Sequence, residues 1–148
     1  MFRGINSITI DAKGRMAIPA RYRDLLDCAM VLTIDTEETC LLLYPVLEWQ
    51  RIEASLQKLP SFNAAARRIQ RLLIGHATDI DLDGQGRILL PQELRQYAQL
   101  QKQAVLIGQG NKFEVWNDEL WQQKRNAWLE EESNHDNDLP DEMKTFSL

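Results

Sequence analysis

The chain has 148 residues, of which 44% are hydrophobic and 26% are charged, and its formal net charge is −5. This composition is typical of a globular protein of one domain or a fused pair. The sequence contains neither an apolar run of about 18 residues, as a bilayer span requires, nor the apolar core of a secretory signal near its N-terminus. We therefore expect a cytoplasmic protein.

The negative charge is concentrated near the C-terminus. Residues 118–148 contain nine acidic and three basic residues, whereas residues 1–117 contain 13 acidic and 14 basic residues. The last stretch, "EEESNHDNDLPDEMKTFSL", has little apolar periodicity, and we expect it to form a flexible acidic tail. The net charge therefore does not exclude a basic surface on the rest of the chain.

The first predicted elements are two short strands joined by a tight turn. Ile8 and Ile10 alternate with polar residues, and Met16 and Ile18 alternate with small ones after the sequence DAKG. Asp at the first position and Gly at the fourth fit a type I turn followed by a left-handed residue. The pattern predicts a β-hairpin with its turn at residues 11–14.

A short helix and a second pair of strands are predicted next. Pro19 suits the start of a helix. An apolar stripe at helical spacing follows, formed by Tyr22, Leu25 and Leu26. Apolar runs at residues 31–34 and 41–44 predict two more strands, which gives the order ββαββ. Two amphipathic helices are predicted after them, near residues 49–59 and 69–73.

The ββαββ pattern recurs 72 residues later. The matching polar and turn pairs are Asp11/Asp83, Gly14/Gly86, Arg15/Arg87, Pro19/Pro91 and Arg23/Arg95. Apolar pairs such as Leu32/Ala104 and Ile34/Leu106 follow the same offset without an insertion, and Leu94, Tyr97 and Ala98 repeat the helical stripe. A unit of about 45 residues buries too little surface to be stable alone, so we expect the two copies to share one core.

These elements predict a β-rich α+β fold. Two ββαββ repeats related by a pseudo-twofold axis would close a small mixed barrel, with linking and flanking helices. The expected segments are residues 1–50 for the first repeat, 51–76 for the linking helices, 77–122 for the second repeat and 123–148 for a helix followed by the acidic flexible tail.

Signals for metal binding and catalysis are weak. The run DIDLDG, at residues 79–84, begins like a calcium-binding EF-hand loop, but the twelfth position, which requires a bidentate Glu, is Leu90. Cys28 and Cys40 form no C-x-x-C pair, which disfavours a disulfide or a zinc site. The two histidines fit no metal-ligand spacing, and no nucleophile or dinucleotide motif is present. We expect no enzymatic activity, no cofactor, no metal and no small-molecule substrate.

Several motifs together resemble one known family. The doubled D-x-x-G-R-x-x-x-P motif, the segment "RRIQRLLIGHA" between its copies, and the stretches "FRG", "CLLLYP" and "NKFEVW" are similar to the MraZ family of bacterial transcriptional regulators. This family belongs with the AbrB/SpoVT-like swapped-hairpin proteins. The resemblance extends to about residue 121.

The resemblance implies more than the residue patterns do. It implies a double-split barrel with both AbrB/SpoVT-like halves on one chain, and ring-shaped homo-oligomers. It also implies binding to direct repeats of double-stranded DNA in the promoter of the division and cell-wall gene cluster, typically with repression, and hence association with the nucleoid.

The D-x-x-x-R motif is the DNA-binding signature of that family, and it falls on Asp11 with Arg15 and on Asp83 with Arg87. Period-two alternation from Ile10 turns the first pair outward. One interpretation is an exposed ion pair worth about 0 to 1 kcal/mol. The other is that Asp11 shapes the turn and orients Arg15 towards phosphate or a guanine edge. For Arg87 the same alternatives stay open.

The two copies differ in charge. Residues 3–25 carry five basic and two acidic residues, whereas residues 75–97 carry two basic and four acidic residues. We therefore expect phosphate contacts mainly from the first copy, multiplied by repetition around an oligomer. The predicted DNA-binding residues are Arg15, Lys13, Arg3, Arg21 and Arg87. The residues expected to shape the turns and orient the arginines are Asp11, Gly14, Asp83 and Gly86.

An alternative function is an antitoxin-like or other protein-interaction module. In that interpretation the acidic C-terminal tail folds on a partner and needs apolar anchors. The available anchors are Trp128, Leu129, Met143, Phe146 and Leu148.

Overall fold

The computed structural model describes residues 1–26, 29–134, 140–144 and 146. The chain divides into two compact units, Met1–Asp118 and Glu119–Leu148. Cys28 and Leu148, named above, lie outside the described residues. Within the part of the chain that is described, no helix is long and apolar enough to cross a membrane.

The first unit contains the two repeats. Its elements in chain order are β1 (Phe2–Thr9), β2 (Arg15–Ala17), α1 (Ala20–Leu26), β3 (Ala29–Ile34), β4 (Leu41–Pro45), α2 (Val46–Gln57), α3 (Ala64–Gly75), β5 (Thr78–Asp81), β6 (Arg87–Leu89), α4 (Gln92–Tyr97), β7 (Gln103–Gly110) and β8 (Phe113–Asn117). The helix α5 (Asp118–Asn134) begins at the last residue of this unit, and α6 (Asp141–Lys144) lies in the second unit. The α+β class and the order ββαββ in each repeat are confirmed.

The strands of the first unit form two antiparallel sheets. Six strands are arranged in the order β1-β7-β8-β4-β3-β5, and β2 and β6 form a separate two-stranded ribbon. Because β1 pairs with β7 and β5 pairs with β3, each repeat adds an edge strand to the sheet of the other. The repeats therefore pair within one chain by exchanging strands.

The predicted hairpin forms only at its turn. Ile10 and Met16 make an isolated bridge, and the N–H of Asp11 donates to the carbonyl of Arg15 at 3.0 Å. Beyond these contacts, β1 and β2 pair with strands of the second repeat, so the prediction of a local two-stranded hairpin is wrong for the strands. A two-stranded hairpin alone is marginally stable, and exchange gives each strand partners over a shared core.

Two ladders show how the repeats are related. β4–β8 pairs Leu42 with Glu114, and β2–β6 pairs Met16 with Ile88. Both pairs join residues that are 72 apart in sequence, so each ladder is centred on equivalent positions of the two repeats. This is the arrangement that a local twofold relation produces.

The offset of 72 residues does not hold throughout. Ile8 pairs with Ala104, and its equivalent Ile80 pairs with Met30. Met30 therefore corresponds to Ala104, and the pairs Leu32/Ala104 and Ile34/Leu106 predicted from the sequence are wrong. Five residues connect α4 to β7, against two between α1 and β3, whereas six residues connect β3 to β4, against two between β7 and β8.

The core of the first unit is shared by the repeats, as expected. Its fully buried members come from both copies and include Met16, Leu41, Ile88 and Phe113, each with no exposed surface. On the other face of β3 and β4, α2 and α3 contribute to a second cluster around Trp49. Asn63 caps α3, because its side chain accepts a hydrogen bond from the N–H of Ala66 at 3.1 Å.

The stripe predicted for the short helices is narrower than expected. The buried members are Tyr22 and Leu26 in the first repeat and Leu94 and Ala98 in the second. Leu25 and Tyr97, at the i+3 positions, are 58% and 37% exposed. A helix of two turns buries one row of residues, and here that row is i and i+4.

Candidate nucleic-acid interface

The two D-x-x-G segments form turns with the same geometry. In the first turn (residues 11–14), Asp11 Oδ1 accepts hydrogen bonds from the backbone N–H groups of Lys13 at 3.0 Å and Arg15 at 2.9 Å. The carbonyl of Asp11 accepts a third from the N–H of Gly14 at 3.0 Å. Gly14 has a φ of +86°, a backbone conformation that residues with a side chain rarely adopt, so glycine suits this position.

The second turn (residues 83–86) repeats these contacts. Asp83 Oδ1 accepts from the N–H groups of Gln85 at 2.8 Å and Arg87 at 2.9 Å. The N–H of Gly86 donates to the carbonyl of Asp83 at 3.0 Å, and Gly86 has a φ of +73°. The sequence similarity between the two turns therefore corresponds to one local structure formed twice.

Each turn aspartate also holds an arginine. Arg15 Nε donates to Asp11 Oδ2 at 2.7 Å, and Arg87 Nε donates to Asp83 Oδ2 at 2.9 Å. The arginine side chains remain 32% and 29% exposed. Among the described residues, no hydrogen bond engages the terminal Nη atoms of either arginine. The carboxylate thus fixes each side chain through Nε and leaves the two terminal nitrogens for another acceptor.

The turn carboxyls stay ionised at neutral pH. The backbone N–H of Arg15 is the main cause that lowers the pKa of Asp11 below its ordinary value, and the N–H of Arg87 does the same for the pKa of Asp83. Desolvation opposes this lowering at both sites, and the hydrogen bonds prevail. The orientation of each arginine is therefore maintained over the physiological pH range.

The two arginines lie on one face of the β2–β6 ribbon. Arg15 pairs with Leu89 and Arg87 pairs with Ala17, while the central pair, Met16 with Ile88, is completely buried. Residues that flank a buried pair point to the opposite face, so Arg15 and Arg87 share the outward face as diagonal neighbours. Diagonal neighbours in an antiparallel ladder are about 7–8 Å apart.

A second pair of arginines connects the repeats. Arg95 Nε donates to the carbonyl of Leu90 at 3.0 Å, and its guanidinium lies against Gly14 of the first turn. Arg23 Nε donates to the carbonyl of Ile18 at 2.8 Å, and its guanidinium lies against Gly86 of the second turn. Each turn is thus supported by an arginine from the other repeat.

Sequence reasoning assigned no role to Arg23 and Arg95. They match at the offset of 72 residues, which was the available signal, but a match cannot show that each reaches the other repeat. The charge of each turn therefore cannot be counted from its own stretch of sequence.

The other predicted cations lie at different places. Lys13 is exposed at the tip of the first turn. Arg3 is exposed near the start of β1, about 20 Å along the strand from Thr9 at about 3.3 Å per residue. Arg21 donates from Nη2 to Asn6 Oδ1 and to the hydroxyl of Tyr22, and it lies 4.7 Å from the centre of the Tyr22 ring. The structure therefore groups Lys13 with Arg15 but separates Arg3 and Arg21 from the turn.

One group of potential metal ligands occurs among the described residues. Asp35, Cys40 and Glu114 have ligand atoms within 4.8 Å of one another. Cys40 Sγ lies 3.6 Å from Asp35 Oδ2, and Trp116 Nε1 donates to Glu114 Oε1 at 2.8 Å. Burial raises the pKa of the Cys40 thiol, which disfavours the thiolate that metals bind. We interpret the group as an internal polar network.

Comparison with known proteins identifies the family. The family model described as "MraZ protein, putative antitoxin-like" matches residues 1–72 and again residues 73–141. The chain belongs to the MraZ family. This confirms the resemblance found from the motifs.

Curated MraZ relatives match over their whole length. A protein of Legionella pneumophila (strain Paris) named "Transcriptional regulator MraZ" is 68% identical over 152 aligned positions that cover 100% of both chains. Proteins with the same name from Coxiella burnetii (strain Dugway 5J108-111) and Alkalilimnicola ehrlichii are 54% and 53% identical, again over 100% of both chains. These MraZ relatives are named as regulators of transcription and not as enzymes.

Proposed function

We propose that this chain is a sequence-specific DNA-binding transcriptional regulator, and that it contacts DNA through the outward face of the β2–β6 ribbon. The observation that carries the proposal is the placement of Arg15 and Arg87 on one exposed face, each held by a turn aspartate through Nε alone. A guanidinium fixed in this way can use its terminal nitrogens for a phosphate or for the O6 and N7 atoms of guanine.

Net attraction to DNA must come from cations outside these two ion pairs. Arg15 and Arg87 are each balanced by an aspartate, so the pairs add no net charge. Lys13, Arg23 and Arg95 lie in or against the turns and have no carboxylate within ion-pair distance among the described residues. The two turns together therefore carry a net charge of about +3, which favours phosphate contacts.

We extend the proposal with what the family resemblance implies. A chain with a net charge of −5 and one modest basic patch binds DNA weakly, whereas several patches on a ring-shaped homo-oligomer would gain avidity on direct repeats. The fold would then be a double-split barrel, with segments 1–50, 51–76, 77–122 and 123–148 as its parts. The target would be the promoter of the division and cell-wall gene cluster that contains the chain's own gene. The protein would associate with the nucleoid in the cytoplasm and repress that promoter.

A mobility-shift assay on the DNA upstream of the chain's own gene tests the DNA-binding proposal. Arg15→Ala should abolish the shift while light scattering shows an unchanged oligomer. Arg51→Ala is a matched control, because it also removes an arginine from an ion pair, here with Glu48 at 3.3 Å on α2. This variant should bind DNA as the unaltered protein does. Binding retained by Arg15→Ala would remove Arg15 from the mechanism, and no binding by the unaltered protein would refute the function.

A second candidate is a protein-interaction module that uses the C-terminal segment. Trp128 and Leu129 on α5 are 37% and 54% exposed, and Met143 and Phe146 are exposed as well. The family description also contains the word "antitoxin-like". Truncation after Ala127 should preserve DNA binding if the regulator proposal is correct, whereas an interaction module would lose its partner in a pull-down experiment.

A further inference from the structure

A groove of about 470 Å³ lies beside the first turn. Its lining includes Thr9, Asp11, Ala12, Arg95, Leu100 and Lys102. The turn side of the groove comes from the first repeat, and the two cations come from the second repeat. No part of the D-x-x-G-R motif predicts this combination.

Arg95 is a half-buried cation without a counter-charge. Its Nε donates to the carbonyl of Leu90, and its guanidinium lies against Gly14. Among the described residues, no carboxylate oxygen lies within 4.0 Å of its nitrogen atoms. A guanidinium that has lost part of its hydration without gaining an ion pair is stabilised when an anion binds next to it.

The carboxylate of Asp11 lines the groove but is already engaged in hydrogen bonds within the first turn. Asp11 accepts hydrogen bonds from the N–H groups of Lys13 and Arg15 and from Arg15 Nε. It therefore balances Arg15 and leaves Arg95 and Lys102 uncompensated.

Lys102 is held at the groove by its backbone. Its carbonyl accepts a hydrogen bond from the N–H of Ile10 at 2.8 Å, one residue before the first turn. The residue is exposed, and no ion pair involves it within the described parts of the chain. A lysine with a fixed backbone and a free ammonium group suits contact with a phosphate.

The second turn has a different environment. Thr9, in the lining of the groove, corresponds to Asp81 next to the second turn, because both are the last residues of equivalent strands. The first turn therefore has Arg95 and Lys102 beside it, whereas the second turn has the carboxylate of Asp81 beside it.

We infer that the groove beside the first turn binds a backbone phosphate of the DNA duplex, with Lys102 and Arg95 as the cations that contact it. The inference rests on the proposed function and deepens it, because it adds a phosphate subsite supplied by the second repeat. A phosphate contact positions the duplex and carries no sequence information.

The test compares the salt dependence of DNA binding by Lys102→Ala with that of the unaltered protein. Two duplexes are used, the DNA upstream of the chain's own gene and a shuffled sequence of the same length. Losing one phosphate contact should reduce the slope of log Kd against log salt by about one for each engaged subunit. It should also weaken binding to both duplexes by the same factor. Lys58→Ala, which removes an equal charge from an exposed site at the end of α2, should change neither quantity.

A charge introduced into the groove gives an independent test. Thr9→Asp introduces next to the first turn a carboxylate equivalent to that of Asp81 next to the second turn. Thr9 is exposed, and the equivalent strand position of the second repeat already carries aspartate. It should weaken binding to both duplexes while circular dichroism and thermal unfolding remain unchanged.

The outcomes separate the two proposals. If Lys102→Ala and Thr9→Asp bind as Lys58→Ala does while Arg15→Ala has lost binding, the phosphate subsite is refuted and the regulator function stands. If the unaltered protein does not bind its own upstream DNA, both proposals fail. A loss for Lys102→Ala on the upstream duplex alone would also contradict a phosphate contact, because it would indicate base recognition.

Discussion

The guanidinium of Arg95 lies against Gly14 so closely that a Cβ atom built on the glycine would stand 2.7 Å from Arg95 Cζ. The same glycine has a φ of +86°. Gly14→Ala therefore meets two obstacles, a strained backbone and a displaced arginine. We predict a decrease in the free energy of unfolding of about 1 to 3 kcal/mol, measured by urea denaturation.

Gly84→Ala is the control for this prediction. Gly84 lies in the second turn, no heavy atom lies within 4 Å of a Cβ built there, and its φ is not in the left-handed region. Its substitution should change stability by less than about 0.5 kcal/mol. Equal effects at Gly14 and Gly84 would contradict the role assigned to Arg95.

Ile88 and Leu89 are neighbours on the ribbon with opposite environments. Ile88 has no exposed surface, whereas Leu89 is 56% exposed. Ile88→Ala should lower the free energy of unfolding by about 2 to 5 kcal/mol, because it leaves a cavity beneath the ribbon. Leu89→Ala should change it by less than about 0.5 kcal/mol in the same denaturation experiment. A small effect of Ile88→Ala would show that the ribbon does not close the core.

The buried carboxyl of Glu114 predicts a dependence of stability on pH. Desolvation raises its pKa, with Asp35 and Glu38 contributing and the hydrogen bond from Trp116 and the charge of Lys112 opposing. A group with a raised pKa in the folded state stabilises fully below its ordinary pKa, and this contribution is lost as pH rises through the raised value. Thermal unfolding midpoints should therefore fall as pH increases above about 4.5, the ordinary value for Glu.

Glu114→Gln removes this titration while keeping an acceptor for Trp116 Nε1. The variant should lose the part of the pH dependence that Glu114 causes, whereas Glu93→Gln, at an exposed position of α4, should retain it. Identical pH profiles for the unaltered protein and Glu114→Gln would refute the assignment.

The thiol of Cys40 should react slowly in the folded protein. The residue is completely buried, and desolvation, together with the charges of Glu114 and Asp35, raises its pKa. Thiolate is the reactive form, so iodoacetamide should label Cys40 at a small fraction of the rate seen in urea. The measurement is mass spectrometry on a Cys28→Ser background, which leaves one thiol. Equal rates with and without urea would contradict the burial.

Local structure could be predicted from the sequence because it depends on neighbouring residues. Asp11 and Gly14 specify the first turn through a hydrogen-bond acceptor and a left-handed backbone, and Pro19 specifies the start of α1. The matching residues at the offset of 72 specify the second copy. These features require no knowledge of what lies across the sheet.

The partner of each strand could not be predicted in this way. Ile8 and Ile10 show only that this stretch has an apolar face, and that face fits a local hairpin as well as pairing of β1 with β7 of the other repeat. The shift of register at Met30 was hidden because apolar residues occur at both offsets. For the same reason, the contact between Arg95 and Gly14 is visible only in three dimensions.

The pairing of Phe2 with Gly110 constrains how the chain is made. At a synthesis rate of about 5–20 residues per second, β1 leaves the ribosome roughly 5 to 20 s before the strand that completes it. During that interval the unpaired backbone edge of β1 is exposed to other nascent chains. Polysomes translating this gene thus provide an opportunity for β1 to pair with a neighbouring copy, and the speed of translation becomes a determinant of whether the repeats join within one molecule or between two.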